Sequence, residues 1–533
     1  MPPLFHNSSD LQTLKKPKIL VPKNTFSSLQ GRFSVHHCAW LFVTILFQVF
    51  LLIFISGTQL IYNTPTQQQL FPSFQAEKCE SGKVYVYNLP EMLNKDLLNK
   101  CHELDPWHSL CNAVSNNGFG PRATGLAGIV PANLVPAWYW TDMHAGEIIY
   151  HARILNYKCR TMDPELARVF YIPFYAGIAV QKYLFTNSSA RDRDWHCETM
   201  LRWVQNQPYW RRFNGSDHFI MLGRVTWDFR RSNDADWGTG FINMPLMQNI
   251  IRLTIEQSQW DPLDVGVPYP TGFHPRSASE VHQWQNFVRT RKRKTLFAFA
   301  GGKRPGMKND FRSLLLSYCY KESDSCRVVD CGRTRCQDGT SAILEAFIDS
   351  DFCLQPRGDS YTRRSQFDCM LAGSIPVFFW KNGIYDQYQW FLPGDPQSFS
   401  VFIDHRDVRN GATSIRRVLE IFSREEVRRM REKVIDSIPK FVYADPSQGL
   451  DVSRDAVDIA IDGVLRRFKE QRGGRKSNTT KEASETAKHS NVLMRRLQDS
   501  YDQKSGEDGD NNSSYNSKGD IRAVLVVMRT VIS

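Results

Sequence analysis

Short apolar runs alternate with longer amphipathic stretches along most of this chain. VYVYNLP (84–90), VFYIPFY (169–175) and HFIMLG (218–223) are separated by mixed segments, of which TDMHAGEIIYHARILNY (141–157) carries apolar residues at helical spacing. A second series follows the proline-rich VPYPTGFHP (267–275): TLFAFAG (295–301), RVVD (327–330), DFCLQP (351–356), SIPVFF (374–379) and SVFID (400–404). Unbroken apolar runs of strand length, with helical segments between them, predict parallel strands buried on both faces and joined by helical crossovers. Two doubly wound, Rossmann-like α/β domains joined near residue 275 are the simplest arrangement.

The two ends follow other patterns. Cys38 to Ser56 is a stretch of 19 residues without a charge, close to the roughly 20 that a bilayer-spanning helix needs. No small-x-small cleavage site follows it, which favours an anchor over a cleavable signal peptide. Lys15, Lys16, Lys18, Lys23 and Arg32 stand upstream against Asp10 alone, and no charge follows before Glu77, so the N-terminus is expected in the cytosol. The expected organisation is a cytosolic tail (1–37), a transmembrane signal-anchor (38–56), a stem (57–77), an N-terminal domain (78–275), a C-terminal domain with a terminal helix (276–470), and a disordered tail (471–533) whose polar, low-complexity composition cannot bury a core.

Composition narrows the partners. A chain of 533 residues with 41% hydrophobic content can fill two cores. Its net charge of +12 is spread along the chain with a single short basic run, RTRKRK (289–294), and is read as matching an anionic small substrate or a membrane surface rather than nucleic acid. Eleven of the twelve cysteines lie beyond the anchor, without a C-x-x-C pair or zinc-type Cys/His spacing, and read as disulfide partners in an oxidising compartment. Eleven is odd, so at least one thiol stays unpaired or pairs between chains. Asn187, Asn214 and Asn478 open glycosylation sequons on the same side.

The chemistry concentrates in PRGDSYTRRSQFDCMLAGSIPVFF (356–379). A strand, a glycine-bearing loop and a helix starting near Thr362 or Arg363 form an anion site, because unpaired N–H groups and the helix dipole face the loop. Ser360, Thr362 and an arginine, Arg363 or Arg364, can complete a diphosphate cradle, and Asp368 can accept from ribose hydroxyls. GGKRPG (301–306) is a second loop of the same type. An ordinary strand-loop-helix unit with solvated arginines satisfies the same spacing, but two such loops at strand ends favour a nucleotide. Neither matches the Walker or dinucleotide glycine fingerprint.

FCLQPRGDSYTRRSQFDCMLAGSIPVFF, preceded in order by KVYVYNLP, DPELARVFYIPFYAG, GSDHFIMLGRVTWDFRR, VPYPTGFHP and FAFAGGKRP, resembles the exostosin-like family 47 glycosyltransferases, in particular their plant xyloglucan galactosyltransferase branch. The likeness spans about residues 79–470. It implies a GT-B fold, with an N-terminal acceptor domain and a C-terminal nucleotide-sugar domain facing across a cleft, on a single-pass type II protein of the Golgi membrane with a lumenal catalytic region. It implies inverting transfer of galactose from UDP-galactose to xylosyl side chains of xyloglucan, with other Golgi glycosyltransferases as further partners. UDP-galacturonic acid and UDP-arabinose are the alternative donors, and a non-catalytic Golgi glycan-binding or scaffold protein is the alternative of another class. Gly301, Arg304, Arg312, Gly358, Ser360, Thr362 and Arg363 would surround the diphosphate, and Asp368 would hold the ribose; Arg312 is equally readable as a solvated helix residue. The chain departs from the family's AGC-IPV pattern, having Ser374 in place of the cysteine and Cys369 five residues earlier.

Inverting transfer needs a base for the acceptor hydroxyl and positive charge for the departing UDP. The base is expected from the N-terminal domain: Asp217 and His218 first, as strand-end residues, then Asp228, Asp142 and Glu147, the last beside apolar neighbours that suit a structural role. DRD (192–194), DAD (234–236) and DGD (508–510) fit the Asp-x-Asp pattern of metal-dependent transferases but share no context, so a catalytic metal is not expected. Ten of the thirteen tryptophans fall between residues 79 and 290, including Trp138, Trp140, Trp210 and Trp227. A few are expected to stack on the acceptor glycan.

Overall fold

A computed structural model describes residues 46–48, 79–304, 306, 310–332, 336, 340–447, 449–450 and 453–477. The expected cytosolic tail and stem, nearly all of the anchor, and the tail beyond 477 lie outside these residues. Among the described residues no helix is long and apolar enough to cross a membrane.

Among the described residues eleven strands form two sheets: β1 Lys83–Val86, β2 Arg160–Thr161, β3 Ala167–Ile172, β4 His218–Leu222, β5 Ile251–Thr254 and β6 Asp264–Gly266 in the first, and β7 Thr295–Gly301, β8 Cys326–Asp330, β9 Ser350–Gln355, β10 Ile375–Phe378 and β11 Val401–Phe402 in the second. Their orders are β2-β1-β3-β4-β5-β6 and β11-β10-β9-β7-β8. Every pairing is parallel. The apolar runs seen in the sequence are these strands. β2, β5 and β6 lack such a run: β2 is the short Arg-Thr pair, and Arg252 inside β5 is buried and donates through Nε to Asp264 Oδ1 at 2.7 Å. A buried charge is tolerated only with such a partner.

Alternation along the strands divides the core. Val84, Val169, Tyr171, Phe219 and Met221 of the first sheet share one apolar cluster with Ala298, Cys353 and Phe378 of the second. The other faces have separate cores, with Phe170, Ile172, Ile220 and Leu222 in one and Phe297, Phe352, Leu354 and Val377 in the other. Each sheet is therefore covered on both sides, as continuous apolar strands require.

The C-terminal helix runs Ala456–Ser477, past residue 471, where disorder was expected. It returns to the first sheet. Phe468 meets the Phe213 ring, and Arg153 of the helix Gly146–Leu155 pairs with Asp455 and Asp458 at its start, at 3.1 and 3.0 Å.

Among the described residues ten cysteines form five disulfides: Cys79–Cys159, Cys101–Cys111, Cys319–Cys326, Cys331–Cys336 and Cys353–Cys369. Cys197 is free and buried. Cys369 joins the helix Arg364–Leu371 to β9, while Ser374 donates to the carbonyls of Phe347 and Ser350.

Candidate functional site

In an open parallel sheet, a crevice forms outside the carboxyl ends of the strands where strand order reverses. Reversal falls between β1 and β3 in the first sheet and between β7 and β9 in the second. At the first lies a cleft of about 440 Å³ whose wall includes Asp105, His108, Trp140, His144, Arg224 and, from the second sheet's side, Arg364. At the second lie the two loops read as diphosphate cradles.

Arg304 follows β7, and Asp359 and Arg363 follow β9. Arg304 pairs with Asp359, whose other oxygen is 3.8 Å from Arg363 Nη2. Arg363 Nε and Nη2 are buried and hydrogen-bond to none of the described residues. Arg312, in the first turn of the helix Phe311–Lys321, joins them. Burial, then the like charges of Arg363 and Arg304, pull its guanidinium down to about 9. Three mutually repelling guanidiniums beside the carboxylates of Asp359 and Asp310 leave a net positive charge suited to an anion. The helix Arg364–Leu371 starts here without a side-chain cap, which leaves N–H groups facing the same place.

The geometry also explains the glycines. A Cβ on Gly358 would fall on the Arg363 guanidinium, and one on Gly301 would lie 2.9 Å from the Phe299 ring. Ser360 is partly buried, its hydroxyl 3.5 Å from the Thr362 carbonyl.

Thr362 has another task than the expected phosphate contact. It is fully buried, and its N–H and hydroxyl both donate to Glu256 Oε2, just past the carboxyl end of β5. Glu256 Oε1 accepts from Trp227 Nε1 at 3.0 Å. A second tie runs from Arg364 to the Thr141 carbonyl. Asp368 accepts from Arg364 Nε at 3.2 Å; burial raises its pKa, against the opposing effect of Arg364. It steadies the arginine that crosses to the first sheet.

The expected bases divide by strand end. His218 opens β4, so Asp217 and His218 sit at its amino end, away from the crevice; the rule that strand ends face the crevice holds for carboxyl ends. Both are buried. Asp217 accepts from Arg212 Nη2 at 2.9 Å and lies 2.7 Å from His218 Nδ1, while His218 Nε2 meets the Tyr87 hydroxyl at 2.9 Å. With burial lowering the His218 pKa and every polar atom engaged, this pair is a packing unit. Asp228 accepts from Arg224 Nε at 2.6 Å and from Trp237 Nε1 at 2.9 Å, so it positions Arg224 in the cleft wall. Glu147 is fully buried below the cleft. It accepts from the N–H groups of Gly177 (2.6 Å), Ile178 (3.3 Å) and Gly223 (2.9 Å), tying together the loops after β3 and β4. Burial raises it to about 7 despite those bonds.

The Asp-x-Asp carboxylates serve the fold: Asp192 closes a capping box with Ser189, Asp194 accepts from Thr239 and Gly240, and Asp234 and Asp236 bond Arg231 and Asn233. The third match, 508–510, lies outside the described residues. Trp138 and Trp210 are core residues, Trp140 lines the cleft, and Trp227 is 41% exposed. Arg364, an alternative to Arg363 for the diphosphate, instead bonds Asp368 and the Thr141 carbonyl. Sequence reasoning missed Glu256, Arg224 and His144, whose roles depend on which loops meet. A lone Glu after IRLTI carries no motif.

Residues 78–419 match the Exostosin GT47 domain. Xyloglucan galactosyltransferase XLT2 of Arabidopsis thaliana is 52% identical over 511 residues, covering 88% of this chain and 99% of that protein. Xyloglucan galactosyltransferase MUR3 of the same plant is 40% identical over 395 residues, with 73% and 63% covered. Its Xyloglucan-specific galacturonosyltransferase 1 is 36% identical over 391 residues, with 73% and 58% covered. The chain spans less than two thirds of the length of these last two.

Proposed function

Since the chain belongs to the exostosin GT47 family, we propose that it is an inverting transferase moving galactose from UDP-galactose to xylosyl side chains of xyloglucan, in cell-wall hemicellulose synthesis. The match to a xyloglucan galactosyltransferase over 99% of that protein's length carries this reading. The geometry supports it: two parallel sheets present their carboxyl-end crevices to each other, as in a GT-B enzyme, one crevice basic and one carrying Trp140 and polar groups suited to a glycan.

The diphosphate of UDP would lie against Arg304, Arg312, Arg363 and the N-terminus of the helix Arg364–Leu371. These cations neutralise the departing UDP as the bond to the sugar breaks, so turnover is expected to persist in EDTA.

Relatives allow a uronate donor, whose C6 carboxylate would need a cation. Arg224 is committed to Asp228 and Gln181, and Arg364 to Asp368 and the Thr141 carbonyl. A neutral hexose fits that arrangement better. Purified lumenal protein assayed with UDP-galactose, UDP-galacturonic acid and UDP-arabinose on xyloglucan oligosaccharides tests the reading. Transfer from UDP-galactose alone is expected, and absence of transfer from every donor by folded protein would favour a glycan-binding or scaffold role.

We also place the protein in the Golgi membrane, anchored by residues 38–56 with its catalytic unit in the lumen. The five disulfides suit that oxidising compartment, and Asn187 and Asn214 are exposed for glycosylation.

A further inference from the structure

Two buried histidines have both ring nitrogens engaged: His218 between Tyr87 and Asp217, His274 between Thr141 and the Tyr443 carbonyl. His144 differs. It lies in the cleft wall two residues before the helix Gly146–Leu155, and 29% of its side chain is exposed. Neither ring nitrogen hydrogen-bonds to a described residue. Its backbone N–H donates to Asp142 Oδ1 at 2.7 Å, which holds that carboxylate 3.7 Å from ring Nδ1.

The other charged groups of this wall are occupied. Arg224 and Arg364 are committed as described, and Asp105 accepts from Gln181 and from the N–H groups of Trp107 and His108. His108 lies with Nδ1 3.1 Å from Asp105 and is 42% exposed. The segment of His144 is also the one that meets the donor side, since Arg364 bonds the carbonyl of Thr141. We propose that His144, oriented by Asp142, is the base that accepts the proton of the acceptor hydroxyl.

The proposal rests on the transferase reading above. As the hydroxyl oxygen bonds to the anomeric carbon, its proton passes to the lone pair of a His144 ring nitrogen. The bond from that carbon to the diphosphate oxygen breaks, and its electron pair leaves with UDP towards Arg304, Arg312 and Arg363. Asp142 stabilises the imidazolium until the exposed ring returns its proton to water. Burial, then Arg224, hold the free ring down at about 4, against the smaller opposing effects of Asp142 and Asp228. The ring is therefore neutral, with its lone pair available, above about pH 5. The working form is the deprotonated one, so kcat/KM should be flat above that pH and fall as pH drops through about 4.

The test compares His144→Gln, Asp142→Asn and, as a histidine outside the cleft, the exposed His102→Gln with the wild type in galactosyl transfer to xyloglucan oligosaccharides, with UDP affinity by calorimetry and folding by circular dichroism. His144→Gln is expected to lower kcat about 100-fold or more, with acceptor KM and UDP affinity little changed and the acid limb of the pH profile lost. Asp142→Asn should cost about 10-fold as a positioning residue, and His102→Gln little. Added imidazole should restore part of the turnover of His144→Gly. Normal turnover by His144→Gln, loss of UDP binding with it, or a greater loss in Asp142→Asn would overturn the assignment, the last making Asp142 the base. If wild-type protein binds UDP yet transfers nothing to xyloglucan, the transferase reading itself fails, and the proposal with it.

Discussion

Glu256 and Thr362 join the two sheets: a carboxylate just past the end of β5 accepts both the N–H and the hydroxyl of a residue in the glycine-bearing loop after β9. The first sheet thereby sets the shape of the loop proposed to hold the donor, since Thr362 immediately precedes Arg363. Glu256→Ala removes both acceptors from a buried site, and each lost bond to a charged group is worth about 1.5–3 kcal/mol. The expected result is a lower thermal midpoint together with weaker UDP binding, although Glu256 lies in the other domain. Unchanged UDP affinity by calorimetry would separate the clamp from the donor site.

The arginine cluster predicts a graded loss. Arg363→Ala and Arg312→Ala each remove a charge-assisted contact to the diphosphate, so UDP affinity should fall about 10- to 100-fold, at roughly 1.4 kcal/mol per tenfold. Gly358→Ala should reproduce the Arg363 effect with every arginine present, because its methyl group displaces that guanidinium. Titration of UDP into each variant checks the order.

Asp217→Asn is expected to act on stability rather than chemistry. It breaks a buried pair with Arg212 and His218, and leaving one partner of such a pair uncompensated costs about 3–5 kcal/mol. The thermal midpoint should drop, while turnover per folded molecule and UDP affinity stay near wild type. A large fall in turnover at full folding would return Asp217 to the list of bases.

The Cys353–Cys369 disulfide ties β9 to the helix behind the nucleotide loop across a separation of 16 residues. A loop of that size corresponds to about 3 kcal/mol of unfolded-state entropy. Cys369→Ser should lower the denaturant midpoint and make the loop a preferred site of limited proteolysis, with UDP protecting it. Proteolysis patterns with and without UDP provide the measurement.

The sequence by itself determined the strands. Residues buried on both faces must be apolar, so eight of the eleven described strands coincide with unbroken apolar runs; the two-residue β2 has none, and β5 and β6 were illegible because Arg252 and Asp264 neutralise each other only once the two strands pair. It also located the two basic loops after β7 and β9, since glycines, hydroxyls and arginines between a strand and a helix are contiguous in the chain. Tertiary structure alone decided which carboxylates and imidazoles face the cleft. Asp217, His218, Asp228, Glu147 and His144 are all polar residues beside apolar elements, with nothing local to distinguish them. Strand direction and the point where strand order reverses put His218 at the closed end of β4 and His144 in the crevice. The same geometry brought Glu256 to Thr362 across 106 residues of chain, a contact that exists only because two separately wound sheets turn their carboxyl ends towards each other.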